Sequence, residues 1–202
     1  MSESDWRDLV MEYIRAEAVP ADKYGHQPRL YALTREIGRG LEYDDDIVFA
    51  AAWMHDLGVF AGHRPEDPAA LARWDHVPYT IARTSDLLAE WGFPAAKLNA
   101  VAEAIRTHQP QEQAATVEAT ILRDADILEQ LGAVGAVRAL VKVGRDTRYA
   151  TVSAALPVLK KALNQLPPKL RLPRAREMAV ERVEILRKFL AALEAEAGEH
   201  LH

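Results

Sequence analysis

The sequence predicts an all-α protein, a single-domain helical bundle, on three observations. Apolar residues recur at spacings of three and four along the chain rather than at two. No alternating Val/Ile/Thr-rich stretch lies between hairpin turn signals. The run from Ile47 to Met54 has no polar residue and ends on the adjacent pair His55 and Asp56. As a helix that run is apolar on every side, so it belongs in the middle of a bundle.

Each element has its own signal. A first helix is expected over about Asp5 to Ala18, then a turn at Val19-Pro20-Ala21-Asp22 that caps a second helix, about Lys23 to Gly38. In that helix His26, Leu30, Leu33 and Ile37 share one face, which turns His26 into the core. Asp44, Asp45 or Asp46 can cap the apolar helix and Gly58 can stop it. Val59 to Ala72, with Gly62, Pro65 and Pro68, reads as a polar loop. A helix from about Val77 to Trp91 follows, with Asp75 or His76 at its start, and Gly92-Phe93-Pro94 ends it. The next, about Ala95 to His108, places Leu98, Val101, Ile105 and His108 on one face before Gln109-Pro110 breaks the chain. Thr116 to about Val143 reads as one long helix or two abutting ones, with Gly132, Gly135 and Gly144 as weak points. Leu156 to Pro173, with four prolines, is linker-like, and a last helix from about Arg174 to Ala197 carries Met178, Val183, Leu186, Phe189, Leu190 and Leu193 and is expected to pack across the bundle as a lid. The expected domain is 1–202, with a core of about 22–145 and C-terminal helices over about 156–197 packing on it.

At 202 residues the chain can bury the core of one domain. A hydrophobic fraction of 49% beside 27% charged residues is that of an ordinary soluble protein, and no apolar run reaches the roughly 18 residues of a membrane span. The acidic start Met1-Ser2-Glu3-Ser4-Asp5 has no signal-peptide character, so the expected location is cytoplasmic, with no membrane partner. A net charge of -5 argues against a nucleic-acid polymer as partner. The absence of cysteine excludes disulfides and thiolate sites, so any metal must be held by histidine and carboxylate.

That donor set is present. A His-Asp dipeptide alone is common, and a buried histidine often only bonds a carbonyl, but here the inward histidines and acids form a series: His26, His55, Asp56, His76, His108, and Asp124 or Asp126. Buried, such groups need partners, and a divalent ion satisfies several at once. Histidine nitrogen with carboxylate oxygen suits a divalent transition metal (manganese, iron, nickel, cobalt or zinc) better than calcium. Helical spacing aligns Asp124 with Ile121, Leu128 and Leu131.

The series resembles the HD-domain superfamily of metal-dependent phosphohydrolases. The resemblance rests on Gly25-His26-Gln27-Pro28-Arg29, then Ala51-Ala52-Trp53-Met54-His55-Asp56-Leu57-Gly58, then Leu122-Arg123-Asp124-Ala125-Asp126-Ile127-Leu128, and it covers about Asp22 to Ala197. Glu118 through Gly135 and the tail from Pro173 to Leu190 are most similar to the small bacterial HD hydrolases with nucleotide pyrophosphohydrolase activity. It implies His26, His55, Asp56 and Asp126 as metal ligands, with Asp124 as the fallback, and His76 and His108 as catalytic or second-metal residues; Arg29, one turn after His26, is the candidate substrate contact. It also implies a small phosphorylated substrate, a nucleotide by preference, and leaves a homodimer open. Three positions depart from the family pattern. Leu57-Gly58-Val59-Phe60 offers no acid or lysine after His-Asp, which leaves the general acid unassigned with Glu66, Asp67 and His63 as substitutes, and Ile127 and Glu129 replace the usual Arg and Asp.

The expected chemistry is attack by metal-activated water on a phosphorus centre, with His76 or His108 moving the proton. No Gly-x-Ser-x-Gly or phosphate-binding Gly-rich loop competes with it. Two other classes share the scaffold: a di-iron oxygenase, which needs His76 and His108 as ligands, and a non-enzymatic nucleotide-binding sensor. His63, His200 and His202 are expected at the surface, Lys160, Lys161, Lys169 and Arg171 on a solvated face, and Trp53, Trp74 and Trp91 in the core.

Overall fold

The computed structural model describes residues 5–144, 149–198 and 200–201, apart from the Asp22 side chain. The expectation of His202 at the surface lies outside the described residues. Among the described residues the chain is α-helical without a strand, as expected: α1 Trp6–Glu17, α2 His26–Ile37, α3 Asp45–Met54, α4 Pro68–Ala72, α5 His76–Glu90, α6 Leu98–Arg106, α7 Val117–Glu129, α8 Gly132–Leu140, α9 Val152–Gln165 and α10 Pro173–Ala197.

It divides into two compact units, 1–125 and 126–202. In the first, α3 is the central element. All eight residues from Ile47 to Met54 are buried, and α1, α2 and α6 pack against it. The Asp44 carboxylate caps α3 by accepting from the Asp46 N–H at 3.0 Å, and Asp5 and Asp75 cap α1 and α5 in the same way. The inward face of α2 is the expected one, since His26, Leu30, Leu33 and Ile37 are all buried. The helix starts at His26 rather than Lys23, after a short 3-10 turn over Ala21–Lys23. In the second unit α8, α9 and α10 pack on one another around Leu159, Leu186 and Leu190.

Two expectations change, and of the two alternatives after Thr116 the second is found. The region from Val59 to Ala72 is not all loop, because Asp67 accepts from the Ala70 N–H at 2.8 Å and Pro68 opens α4, an N-cap followed by an N1 proline. Leu156 to Pro173 is mostly helix, since Pro157 lies in the second turn of α9 and removes only one backbone bond there. The stretch after Thr116 is two helices, broken at Gln130-Leu131, where Gly132 takes φ +72° with the Arg182 side chain packed 3.3 Å from where a Cβ would stand.

Because α3 is enclosed on every side, adding volume to it has nowhere to go. Ala51→Leu is expected to cost about 1–3 kcal/mol, read as a lower urea midpoint with an unchanged slope.

Candidate metal centre

His55 is the C-cap residue of α3, and the next residue, Asp56, leaves the helix at φ −103°, ψ 11° and starts a 3-10 turn over Leu57–Val59. The C-terminal end of a fully buried helix therefore delivers two polar side chains into the interior. His26 arrives from the first position of α2, His76 from the first position of α5, and His108 from just beyond the end of α6. The last helix stops at Arg106, two residues short of the expected end, yet His108 is still buried.

These five side chains form two overlapping sets: His26, His55 and Asp56, and Asp56, His76 and His108, with the ligand atoms of each set within 4.8 Å of one another. Asp56 divides its carboxylate between them. Its Oδ2 lies 3.5 Å from His55 Nε2 and 3.8 Å from His26 Nε2, while Oδ1 lies 3.6 Å from His76 Nε2. His26 and His55 bring their Nε2 atoms to 3.3 Å. Bonds of about 2.0–2.2 Å from one ion to nitrogen and oxygen put neighbouring ligand atoms roughly 3–3.5 Å apart, so the spacing of the first set is close to that of a metal's coordination edges.

The backbone prepares the nitrogens. His55 Nδ1 lies 3.0 Å from the carbonyl of Ala52, and His108 Nδ1 lies 2.6 Å from that of Ile105. A carbonyl only accepts, so each Nδ1 carries the hydrogen and each Nε2 presents a lone pair, the tautomer a ligand requires. His55 is 1% exposed and His26 6%, while Asp56 is 22% exposed and is the side of the cluster open to solvent.

Burial by itself pushes the Asp56 carboxyl up, but Coulomb attraction to His55, His26, His76 and His108, exerted when those rings are protonated, outweighs it and holds Asp56 well below the usual carboxylate range.

Gly58 does not terminate α3 as expected, for the helix ends before it. Instead it lets α5 approach: a Cβ there would stand 2.9 Å from the His76 carbonyl oxygen and from Thr80 Oγ1. Its N–H donates to Thr80 Oγ1 at 3.0 Å and its carbonyl accepts from Trp74 Nε1 at 2.8 Å. These contacts seat His76 beside Asp56. Thr80 carries no motif in the sequence, and its only signal there is the spacing of four from His76 that puts both on one helix face.

Of the remaining expected site residues, Arg29 stands one turn along α2 from His26 with an exposed side chain. Asp124 is fully buried next to Arg123, Nη1 to Oδ1 3.5 Å, and is not one of the residues of either converging set. Asp126 belongs to the second unit, is 8% exposed, and its Oδ2 accepts from Gln130 Nε2 at 3.0 Å. Among the substitutes for the general acid, Asp67 is used as a helix cap and Glu66 is exposed. His63 is not at the surface: its side chain is 8% exposed and both ring nitrogens are engaged. His200 is exposed as expected.

A helical protein with paired histidine and aspartate sets at the end of a buried helix is the architecture of the HD domain, and the HD-domain family model matches residues 24–131, a little over half of the chain. The chain belongs to the HD-domain family. Its fold is that of HD-superfamily hydrolases. Bacillus subtilis YpgQ, solved in complex with ADP, aligns with a TM-score of 0.70 at 24% identity over 98% of each chain. A predicted HD superfamily hydrolase from an uncultured Thermotogales bacterium aligns at 0.64 and 23% identity, over 95% of this chain and 92% of that one. An HD-superfamily hydrolase from Bacillus thuringiensis aligns at 0.68 and 17% identity, over 96% and 97%. A search of curated proteins gave no match. No helix among the described residues is long and apolar enough to cross a membrane.

The depressed Asp56 carboxyl has a consequence for metal-free protein. Its stabilising contribution is complete above the unfolded-state value of about 3.9 and is lost as pH falls through the lower folded-state value. In acidic buffer, where the surrounding imidazoles are protonated, the difference in urea stability between wild type and Asp56→Asn, both without metal, should persist down to about pH 4 and close only below it.

Proposed function

We propose that this chain is a metal-dependent phosphohydrolase acting on a phosphoester or phosphoanhydride, a nucleotide by preference. The observation that carries the reading is the convergence of His26 Nε2, His55 Nε2 and Asp56 Oδ2, with separations of 3.3 to 3.8 Å. Membership of the HD family supports the class of reaction, and the ADP held by YpgQ supports a nucleotide. A small-molecule substrate, a cytoplasmic location, a single domain over 1–202 and an open question of homodimer formation belong to the same proposal.

His26, His55 and Asp56 would hold the ion, with Asp126 as the fourth ligand on the strength of the Ala125-Asp126-Ile127-Leu128 motif. When bound, a divalent transition metal supplies Lewis-acid polarisation of a phosphoryl oxygen and lowers the pKa of water. The residues of the chain do the rest. The Asp56 carboxylate, partly open to solvent, orients the attacking water from the ligand side. His108, its Nδ1–H donated to the Ile105 carbonyl, presents the basic Nε2 lone pair that a proton transfer needs, and His76 belongs with it to the set around Asp56. Arg29, one turn from His26, is placed to meet a phosphate. Water forms the new P–O bond as the bond to the leaving oxygen breaks, and the proton from water passes to that oxygen.

One observation favours a second reading. Asp56, His76 and His108 form a second set able to hold an ion, which is what a di-iron oxygenase requires.

Purified protein should carry about one divalent transition metal per chain, and His55→Ala or Asp56→Ala should reduce its affinity by orders of magnitude, measured by metal analysis after dialysis. With manganese or cobalt, a panel of nucleoside mono-, di- and triphosphates, an aryl phosphate and a cyclic dinucleotide should show cleavage of at least one phosphorus–oxygen bond. Pyrophosphate from a triphosphate would locate attack at the α-phosphorus. No cleavage with any metal would overturn the reading, and oxygen consumption by iron-loaded protein with a phosphonate or polyol would put the oxygenase in its place.

Asp126 and Asp124 are two residues apart on α7, about 200° around its axis, so they face different surroundings. Asp126→Asn should remove the metal and Asp124→Asn should leave it. The reverse result would move the motif register by two residues.

A further inference from the structure

His63, half-buried with a side chain only 8% exposed, is a histidine for which the proposed chemistry has no use. Its Nε2 lies 2.8 Å from Glu17 Oε2 on α1, and its Nδ1 lies 2.8 Å from the Tyr79 hydroxyl on α5. The Glu17 carboxylate only accepts, so Nε2 carries the hydrogen, and Nδ1 then accepts from the Tyr79 O–H. One ring is thereby bonded at both ends, to helices on either side of the segment that carries it. The rings of Phe60, Tyr13 and Tyr79 enclose it edge-on, with centroids 6.5, 6.4 and 5.8 Å away.

The segment in question starts at Asp56, the carboxylate common to both ligand sets. It is fastened at Gly58 to Thr80 of α5 and to Trp74 just before that helix, to Val19 two residues past α1 through the Ala61 N–H at 3.0 Å, and at its far end by the His63 ring. Tyr79 is one turn along α5 from His76. A bond that pulls Tyr79 toward this segment therefore pulls His76 toward Asp56.

We propose that His63 is a positioning residue that, by tying Glu17 and Tyr79 to the Asp56–His63 segment, keeps the Asp56 and His76 side chains at ligand spacing. This rests on the reading of the cluster as a metal centre, and it assigns to His63 a part that no contact with metal or substrate supplies. The action runs through the seating of α5, so it concerns the His76 side of the cluster more than the His26 side.

Cobalt(II) titration followed by visible absorption tests it on wild type, His63→Leu, His76→Ala, the double variant and His63→Gln, with melting of the metal-free proteins alongside. His63→Leu should lower cobalt affinity about tenfold, the lower end of what outer hydrogen-bonding partners contribute, and alter the cobalt spectrum. On the His76→Ala background it should cause no further loss, the non-additivity expected of groups acting through one another. His63→Gln, which can still donate to one partner and accept from the other, should recover most of the affinity. Tyr79→Phe, which keeps the His63–Glu17 pair, serves if His63→Leu does not fold, and should lower affinity in the same direction. Wild-type affinity in His63→Leu and Tyr79→Phe, or strict additivity with His76→Ala, overturns the proposal while the metal centre stands. If wild type takes up no cobalt, or His55→Ala binds it equally well, the metal-centre reading fails and the proposal fails with it.

Discussion

A carboxylate placed among four imidazoles in a protein interior is the constraint on which the first unit depends. Asp56 is costly to bury and is held ionised by His55, His26, His76 and His108. Each of those histidines comes from a different part of the chain, and each needs its own backbone arrangement to reach the same point: a C-cap at His55, first helical positions at His26 and His76, and a helix end that stops just before His108. The packing of α2 and α6 on α3, and of α5 on α6, serves that convergence.

The parts of this arrangement that were legible in the sequence are those written in local pattern. The polar-free run before His55 requires a buried helix, and the stripe from His26 to Ile37 requires an inward histidine; both are found. The common ligand sets follow from these two facts and the resemblance of the motifs. What was not legible depends on partners distant in sequence. His63 looks like a loop residue between Gly62 and Arg64, and its burial comes from Glu17, which is 46 residues away. Gly58 looks like a helix stop, while its lack of a side chain is required by the close passage of the His76 carbonyl. Such contacts form only after the helices have packed, so no window of the sequence contains them.

Proline and glycine misled in a different way. Four prolines between Leu156 and Pro173 suggest a linker, yet α9 continues through Pro157 in its second turn, so the packing of the helix outweighs the backbone bond lost there. In contrast, the glycines after α7 mark a real break. Gly132 takes a left-handed backbone conformation, and Gly135 lets the carbonyl of Gln130 come within 2.3 Å of where a Cβ would be. Arg182 then donates to the Leu128 carbonyl at 2.8 Å, an acceptor that it shares with the Leu131 N–H at 3.1 Å at the end of α7.

The other end of α3 explains why the His-Asp pair stays in register. Three acids stand at the start of this helix, where the dipole favours negative charge. Arg7 bonds Asp45 at 2.9 Å and Asp46 at 2.6 Å, Lys97 bonds Asp44 and Asp46 at 2.7 Å each, and the Asp44 N–H donates to Glu118 at 3.0 Å. Hydrogen bonds from Arg7 and Lys97 depress the Asp46 carboxyl below its ordinary value. These pairs are partly exposed, and each contributes little to stability. Their consequence is geometric: they tie the start of α3 to α1 and to the residue preceding α6. Ten helical residues, about 15 Å, separate that clasp from His55. A helix apolar on all sides has no amphipathic stripe to fix its rotation or its depth, so those two quantities are set at its ends, by the ion pairs at the start and by the imidazole and carboxylate contacts at His55 and Asp56.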